Sequence, residues 1–294
     1  MADLFDMQDE IVAGLANQLR TELIDAEARR AERAVNPDAV DLIFQGWATF
    51  NFGWSPEILA KARAFFERAL ALDPANTPAS YGKATVDFQA AASFQVDDRA
   101  ARLASAEKTF TKVLTLSPRH APAHLMLGLV QMNTNRPLLS IAAFERAIAL
   151  DRNLAQAHAS LGFAKVLIGR AEETEAHVQE ALRLSPRDRN AFLWFVYVAA
   201  AKSQLGAEEE AVAWYRRSIE ENRNFSIVYF FLAANLARLG RKDEARTSIE
   251  TGLLLNPGFT IRRFQAGMPS DHPAFVAGFQ RTLEALREAG VPEG

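Results

Sequence analysis

The side chains able to do chemistry are few and scattered. Five histidines, His120, His124, His158, His177 and His272, stand in a chain without cysteine. A zinc site carried on a helix needs two ligands one turn apart on one face, with further ligands nearby. His120 and His124 are four residues apart, but Pro122 lies between them at a helix start and spoils that face. His124 and His158 occupy equivalent places in a repeat, which suits side chains that pack rather than ligate. Asp97-Asp98 could attract a metal, yet a cap for the following helix is the better use of that pair. The run Glu208 to Glu210 reads as a solvated helix face. No Gly-rich phosphate loop, Gly-x-Ser-x-Gly elbow or His-Glu-x-x-His occurs. One cluster keeps an enzyme reading open, a hidden pocket of aromatics around Trp194 with His158 and Glu173 in neighbouring repeats. The sequence otherwise points to no catalytic residue, no metal ligand and no cofactor.

Composition narrows the partners. The net charge is -3, and lysines and arginines are spread along the chain instead of gathered in one stretch, so there is no electrostatic footprint for nucleic acid. Without cysteine there can be no disulfide framework, thiolate zinc site or cysteine nucleophile, a composition that suits a reducing cytoplasm. The longest apolar run, Ala191 to Ala201, falls far short of the roughly twenty residues that span a bilayer. The chain starts acidic where a secretory signal is basic. The expectation is a cytoplasmic protein that binds neither membrane nor nucleic acid.

The elements that would position any site come from a repeat. His124-x2-Leu127-Gly128 is followed by Ser140-x3-Phe144-x2-Ala147 and Arg152. Thirty-four residues on, the chain reads His158-x2-Leu161-Gly162, Thr174-x3-Val178-x2-Ala181 and Pro186. A fixed period of this length marks a helical repeat array whose units bury their apolar faces only against neighbours. Small residues such as Gly128, Gly162 and Ala233 let a second helix approach the first, and Phe66, Phe110, Phe144 and Tyr215 fill the groove between them. Proline stops the second helix.

Ala62, Phe66, Ala69 and Pro74 reproduce in full the second-helix pattern of the tetratricopeptide repeat (TPR). Ala106, Phe110, Val113 and Pro118, then Ala245, Ile249, Gly252 and Pro257, keep its sizes, and Ala211, Tyr215, Ser218 and Arg223 form a looser copy. The chain therefore resembles that family, with departures at Val196, Arg152 and Arg223. The resemblance implies an all-α, right-handed α-solenoid of about six helix pairs, with additional helices at both ends. The reading divides the chain into an N-terminal amphipathic helix (1–36), the array (37–257), and a C-terminal linker and capping helix (258–294). Pro74 to Pro118 is ten residues longer than the standard repeat, an excess placed near Ala90 to Arg99.

In this family the first helices line the concave surface. The residues expected to project there and bind a partner are Leu125, Leu129, Met132, Phe163, Trp194, Tyr197 and Phe230. This lining is apolar, without the Lys, Arg and Asn of members that clamp a terminal carboxylate. The alternative is that these side chains pack between repeats or under a terminal helix.

The ends carry further patterns. Residues Asp3 to Arg33 read as one helix with an apolar stripe of Phe5, Val12, Leu15, Leu19 and Leu23. Five large apolar side chains, worth about 1.5 to 3 kcal/mol each when buried, call for a docking surface. It could be the helix's own groove, a second copy of the chain, or a neighbouring domain. Ile261 to Pro269 reads as irregular. A final helix from Pro273 to Ala289 places Phe275, Phe279, Leu283 and Leu286 on one face and stops at Gly290.

Leu4-Phe5-Asp6-Met7-Gln8-Asp9-Glu10-Ile11-Val12, with the closing Ala289-Gly290-Val291-Pro292-Glu293, resembles the C-terminal TPR region of multidomain bacterial proteins. Those proteins join a class III adenylate cyclase domain to a TolB-like domain. This resemblance implies a signalling context, with the chain as the C-terminal part of a longer protein or as a cyclase-less paralogue. No cyclase site is carried over. The functional expectation is a non-catalytic regulatory module that binds a protein or peptide segment, or its own N-terminal helix; the alternative is a homodimerisation module that brings upstream catalytic domains together.

Overall fold

The computed structural model describes residues 19, 22–32 and 37–294. The described residues form helices and no strand, arranged as six helix pairs in tandem. The pairs are α1 (Ala39–Phe52) with α2 (Pro56–Leu72), α3 (Thr77–Ala92) with α4 (Arg99–Leu116), and α5 (Ala121–Met132) with α6 (Pro137–Leu150). They continue as α7 (Ala155–Leu167) with α8 (Thr174–Leu184), α9 (Ala191–Gln204) with α10 (Glu208–Glu221), and α11 (Ser226–Arg238) with α12 (Lys242–Leu255). After them come α13 (Ile261–Ala266) and α14 (Pro273–Glu288). The all-α repeat fold read from the sequence is the fold observed.

Local chemistry sets the boundaries. Asp38 caps α1 through a capping box, its carboxylate accepting from the Asp41 amide at 2.9 Å while Asp41 accepts from the Asp38 amide at 3.3 Å. Ser55 caps α2, with Pro56 in the first turn where its missing donor costs nothing. In five of the six pairs the turn between the helices holds a left-handed residue. Gly169, Gly206 and Gly240 supply it at φ 78°, 78° and 75°, whereas Asn135 (58°) and Phe94 (56°) hold the corresponding place in two earlier turns.

The repeat spacing works through aromatic wedges. A Cβ at Gly82 would lie 2.2 Å from the Phe66 ring, one at Gly46 2.8 Å from it, and one at Gly128 2.6 Å from Phe144. Glycine is what lets each ring sit between helices, and Phe66, Phe110 and Phe144 are fully buried.

Contacts divide the chain into two compact units. The first holds the described residues up to Ala91 together with Asp98–His120; the second holds Ala92–Asp97 together with Ala121–Gly294. The sequence shows no boundary inside the array. The ten-residue excess goes mostly into longer helices, since α3 and α4 run to 16 and 18 residues against 12 and 14 for α5 and α6.

Three local expectations change. Residues 261–266, read as irregular, form α13, because Thr260 caps it and the Pro292 and Glu293 carbonyls accept from the Ile261 and Arg262 amides at 2.9 and 3.0 Å. Asp98 stands at the N-cap of α4, but its carboxylate accepts from Arg102 Nε at 2.8 Å instead of from a helix amide. Glu208, Glu209 and Glu210 are not merely solvated: they pair with Arg238 (3.3 Å), Arg241 (3.4 Å) and Lys202 (2.8 Å).

Of the N-terminal stripe, Phe5, Val12 and Leu15 lie outside the described residues. Residues 22–31 are helical and dock in the first unit through buried Ala28 and Ala31, with Arg30 bridging Glu27 (2.7 Å) and Asp41 (3.2 Å). Leu19 and Leu23 are 65% and 57% exposed, so this part of the stripe faces away from the docked side.

Candidate interaction surface

The seven residues expected on the partner-binding face sit on α5, α7, α9 and α11, the first helices of four pairs, and the structure brings them into the interior of the second unit. Trp194 and Phe230 have no exposure; Leu125, Leu129, Met132 and Tyr197 are buried. Phe163 alone among them keeps partial exposure. The three buried aromatic side chains each have a partner. Trp194 Nε1 donates to Gln156 Oε1 at 2.8 Å, and Gln156 Nε2 donates to Ser160 at 3.0 Å. Tyr197 stacks on Phe163 at 4.7 Å, and burial pushes its hydroxyl well above the usual tyrosine range while hydrogen bonds with Ser160 and Gln156 oppose the shift. Phe230 stacks on Phe259 at 3.8 Å. These side chains build the wall of the face, and only Phe163 retains surface to touch anything else.

The C-terminal segment packs on α9 and α11. Helix α14 packs on both and carries Phe275, Phe279, Leu283 and Leu286 buried, the four residues the sequence places on one side. The preceding loop is tied down in turn. Ser270 Oγ donates to the Leu167 carbonyl at 2.6 Å in a buried bond and accepts from the His272 amide at 3.0 Å. Gln204 Nε2 donates to the Ala274 carbonyl, and Asn135 Nδ2 donates to Asp271 Oδ2 at 2.6 Å. Gly290, at φ 96°, follows the helix and ends it.

In the first unit several aromatic side chains of α1, of the turn after it and of α3 stay closer to solvent, although Phe88 of α3 is buried. Trp47, Phe50, Trp54 and Tyr81 are half-buried. Trp47 meets Phe66 edge-on at 5.3 Å and Tyr81 at 6.0 Å, and Tyr81 meets the His120 ring at 5.5 Å. Phe52, at the end of α1, is 84% exposed. Sequence reasoning missed these residues because it counted aromatics only where the repeat was sharpest.

It also missed a polar hub. The Asp87 carboxylate, 7% exposed, accepts from Arg63 Nε at 2.8 Å, Lys83 Nζ at 2.6 Å and Arg102 at 3.0 Å. Three cations on one buried carboxylate satisfy its lone pairs and lock α2, α3 and α4 together. The i, i+4 spacing of Lys83 and Asp87 was a legible sign of half of it.

The residues weighed for chemistry have separate structural employment. His158 Nε2 lies 3.0 Å from the Arg152 carbonyl, and in a later pair Tyr229 donates to the Arg223 carbonyl at 2.9 Å, also six residues back. The position thus takes a bulky polar side chain that satisfies the preceding turn. Glu173 pairs with Arg170 and lies 3.9 Å from Lys165, while Trp194 is engaged with Gln156. Among the described residues, no three His, Asp or Glu side chains are grouped to hold a metal ion. No described helix is long and apolar enough to cross a membrane.

Comparison with known proteins places this geometry. The tetratricopeptide repeat model matches residues 121–154, which hold the α5–α6 pair. No curated protein matches the sequence. Among solved structures, a tetratricopeptide repeat protein from Parabacteroides merdae superposes with a TM-score of 0.55 at 15% identity, covering 96% of this chain and 95% of that one. The Cut9–Hcn1 hetero-tetramer of the APC/C gives 0.60 at 17% identity, covering 92% of this chain; the chain spans about half of that one, 47%. A thermophilic TPR protein of Thermus thermophilus gives 0.51 at 16% identity over 74% of this chain and 99% of that one. These likenesses speak for the fold. They lend no support to the cyclase and TolB-like context suggested by the ends of the chain.

Proposed function

We propose that the chain is a non-catalytic module that binds protein segments on its first-helix surfaces. The observation that carries this reading is internal: the faces of α9 and α11 already hold an amphipathic helix, α14, through Phe275, Phe279, Leu283 and Leu286. A helix laid in an apolar groove with anchors about one turn apart is a general mode of peptide recognition. Leu125, Leu129, Met132, Phe163, Trp194, Tyr197 and Phe230 serve this reading as the wall that shapes the surface, with Phe163 as the contact. Trp47, Phe50, Trp54 and Tyr81 offer a second surface of the same chemistry. The supporting context is a regulatory one, motivated by the sequence motifs at the two ends and tested by reading the gene upstream of Met1 for a cyclase or TolB-like domain.

Panning the immobilised chain against a display library of protein segments tests the module directly, with crosslinking to map any hit. Enrichment of amphipathic segments that crosslink to first-helix residues is the expected result; a library that yields none would sink the reading. A second reading, homodimerisation, is favoured by one feature, the exposed Leu19 and Leu23 one turn apart. Light scattering decides it, since a clean monomer at micromolar concentration counts against a dimer.

A further inference from the structure

The turns of the last five helix pairs each hold a left-handed residue, and in the last three that residue is glycine. In the α3–α4 turn it is Phe94 at φ 56°, a bulky side chain where the backbone disfavours one. Its ring lies edge-on to Phe264 at 5.9 Å and to Phe259 at 6.5 Å. Three residues on, Asp97 pairs with Arg263 of α13. Asn135 in the α5–α6 turn holds Asp271, and a Cβ at Gly169 in the α7–α8 turn would lie 2.6 Å from the His272 ring. A Cβ at Gly206 or Gly240 would meet nothing within 4 Å. The left-handed residues of three turns therefore lie against the C-terminal segment, whereas Gly206 and Gly240 face open space.

We propose that the segment from Phe259 to the C-terminus is a resident ligand of the module, clipped in place by Phe94 and Asp97, and that an incoming amphipathic protein helix of the same pattern must displace it. The proposal rests on the reading of the first-helix surface as a binding surface. The pattern to be matched is that of Phe275, Phe279, Leu283 and Leu286. Such a partner's apparent affinity is reduced by the fraction of molecules in which the segment is seated. The outer part of the clip is open to substitution without disturbing the repeat core, because the Asp97 side chain is 85% exposed.

The test uses the full chain and a fluorescent peptide of residues 270–291 as the probe. Phe94→Gly removes the ring and restores the residue type used in the other turns; Asp97→Arg turns the Arg263 pair into a repulsion. In the double variant we expect amide exchange of residues 273–288 to quicken at least tenfold while α7 and α8 stay protected, and the probe to bind at least tenfold more tightly than to the unchanged chain. Adding Arg263→Asp to Asp97→Arg, which restores the pair with its charges swapped, should slow the exchange again. Unchanged exchange of 273–288 overturns the clip, and exchange of that segment only together with α7 and α8 overturns its separability; both leave the binding module standing. A released segment whose vacated surface fails to take the probe overturns the displacement idea and counts against the module reading as well.

Discussion

The first-helix surfaces of the two units use the same residue types for opposite ends. On α1 and α3, Trp47, Phe50 and Tyr81 remain half-buried and Phe52 stands in solvent; on α9 and α11, Trp194 and Phe230 are sealed. Aromatic content does not separate the two. What separates them is what packs on the rings: Trp194 is enclosed by Ala155, Ala159, Val178 and Ala181 of α7 and α8, and Phe230 stacks on Phe259 beyond α12. A greasy stretch in a repeat sequence thus marks side chains that need covering, and the cover can come from the preceding repeat, as for Trp194, or from beyond the array, as for Phe230.

The largest expected effect sharpens that contrast. Phe279→Ala removes a buried anchor of α14 and should cost about 3 kcal/mol or more, the usual range for emptying a buried aromatic site. Phe50→Ala, at a half-buried position, should cost about 1 kcal/mol. Urea unfolding followed by tryptophan fluorescence checks both, since Trp47 and Trp54 report the first unit and Trp194 and Trp214 the second. Equal losses would mean that the first unit's aromatics are as deeply used as the second's, and the comparison would fail.

The polar side of the contrast runs the other way. Asp87→Ala leaves Arg63, Lys83 and Arg102 converging on an empty place and should destabilise the first unit by about 2 to 4 kcal/mol, a range that allows for the partial exposure of the three cations. Asp271→Ala, which breaks an exposed bond to Asn135, should cost no more than about 1 kcal/mol. Raising the salt concentration should change the first loss little, since buried pairs are poorly screened. A small or strongly salt-dependent loss on removing Asp87 would show that its carboxylate is hydrated in solution.

The sequence disclosed the parts of this fold that depend on local spacing. The wedge positions Phe66, Phe110, Phe144 and Tyr215 and the apolar side of α14 follow from helix periodicity. Contacts made across long stretches of chain were not legible. Nothing near Phe94 announces that its ring will meet Phe259 and Phe264, or that Asp97 will meet Arg263, because each partner lies far along the chain. The interaction surface suffered for the same reason. A residue's place on a first helix gives its direction, but its exposure depends on what packs there, for Phe230 a residue, Phe259, from beyond the array.

The smallest expected effect is a pH dependence confined to the second unit. His177 on α8 is half-buried, and its pKa is lowered chiefly by that burial and then by the nearby Lys165 and His158, with Glu173 working the other way and Arg170 adding to the lowering. Its folded value therefore lies below the unfolded one, near 6.5. As pH falls through the unfolded value, the unfolded chain takes up the proton first, so stability declines until the folded histidine titrates too. Asp188 contributes the opposite sign at lower pH, because burial raises its pKa and protonation then favours the folded state. Between pH 7.5 and 5.5 the histidine is the group of the two that matters. The unfolding midpoint reported by Trp194 and Trp214 should fall modestly across that window, and His177→Gln should flatten the fall. An equal fall in the variant would place the titrating group elsewhere in the unit.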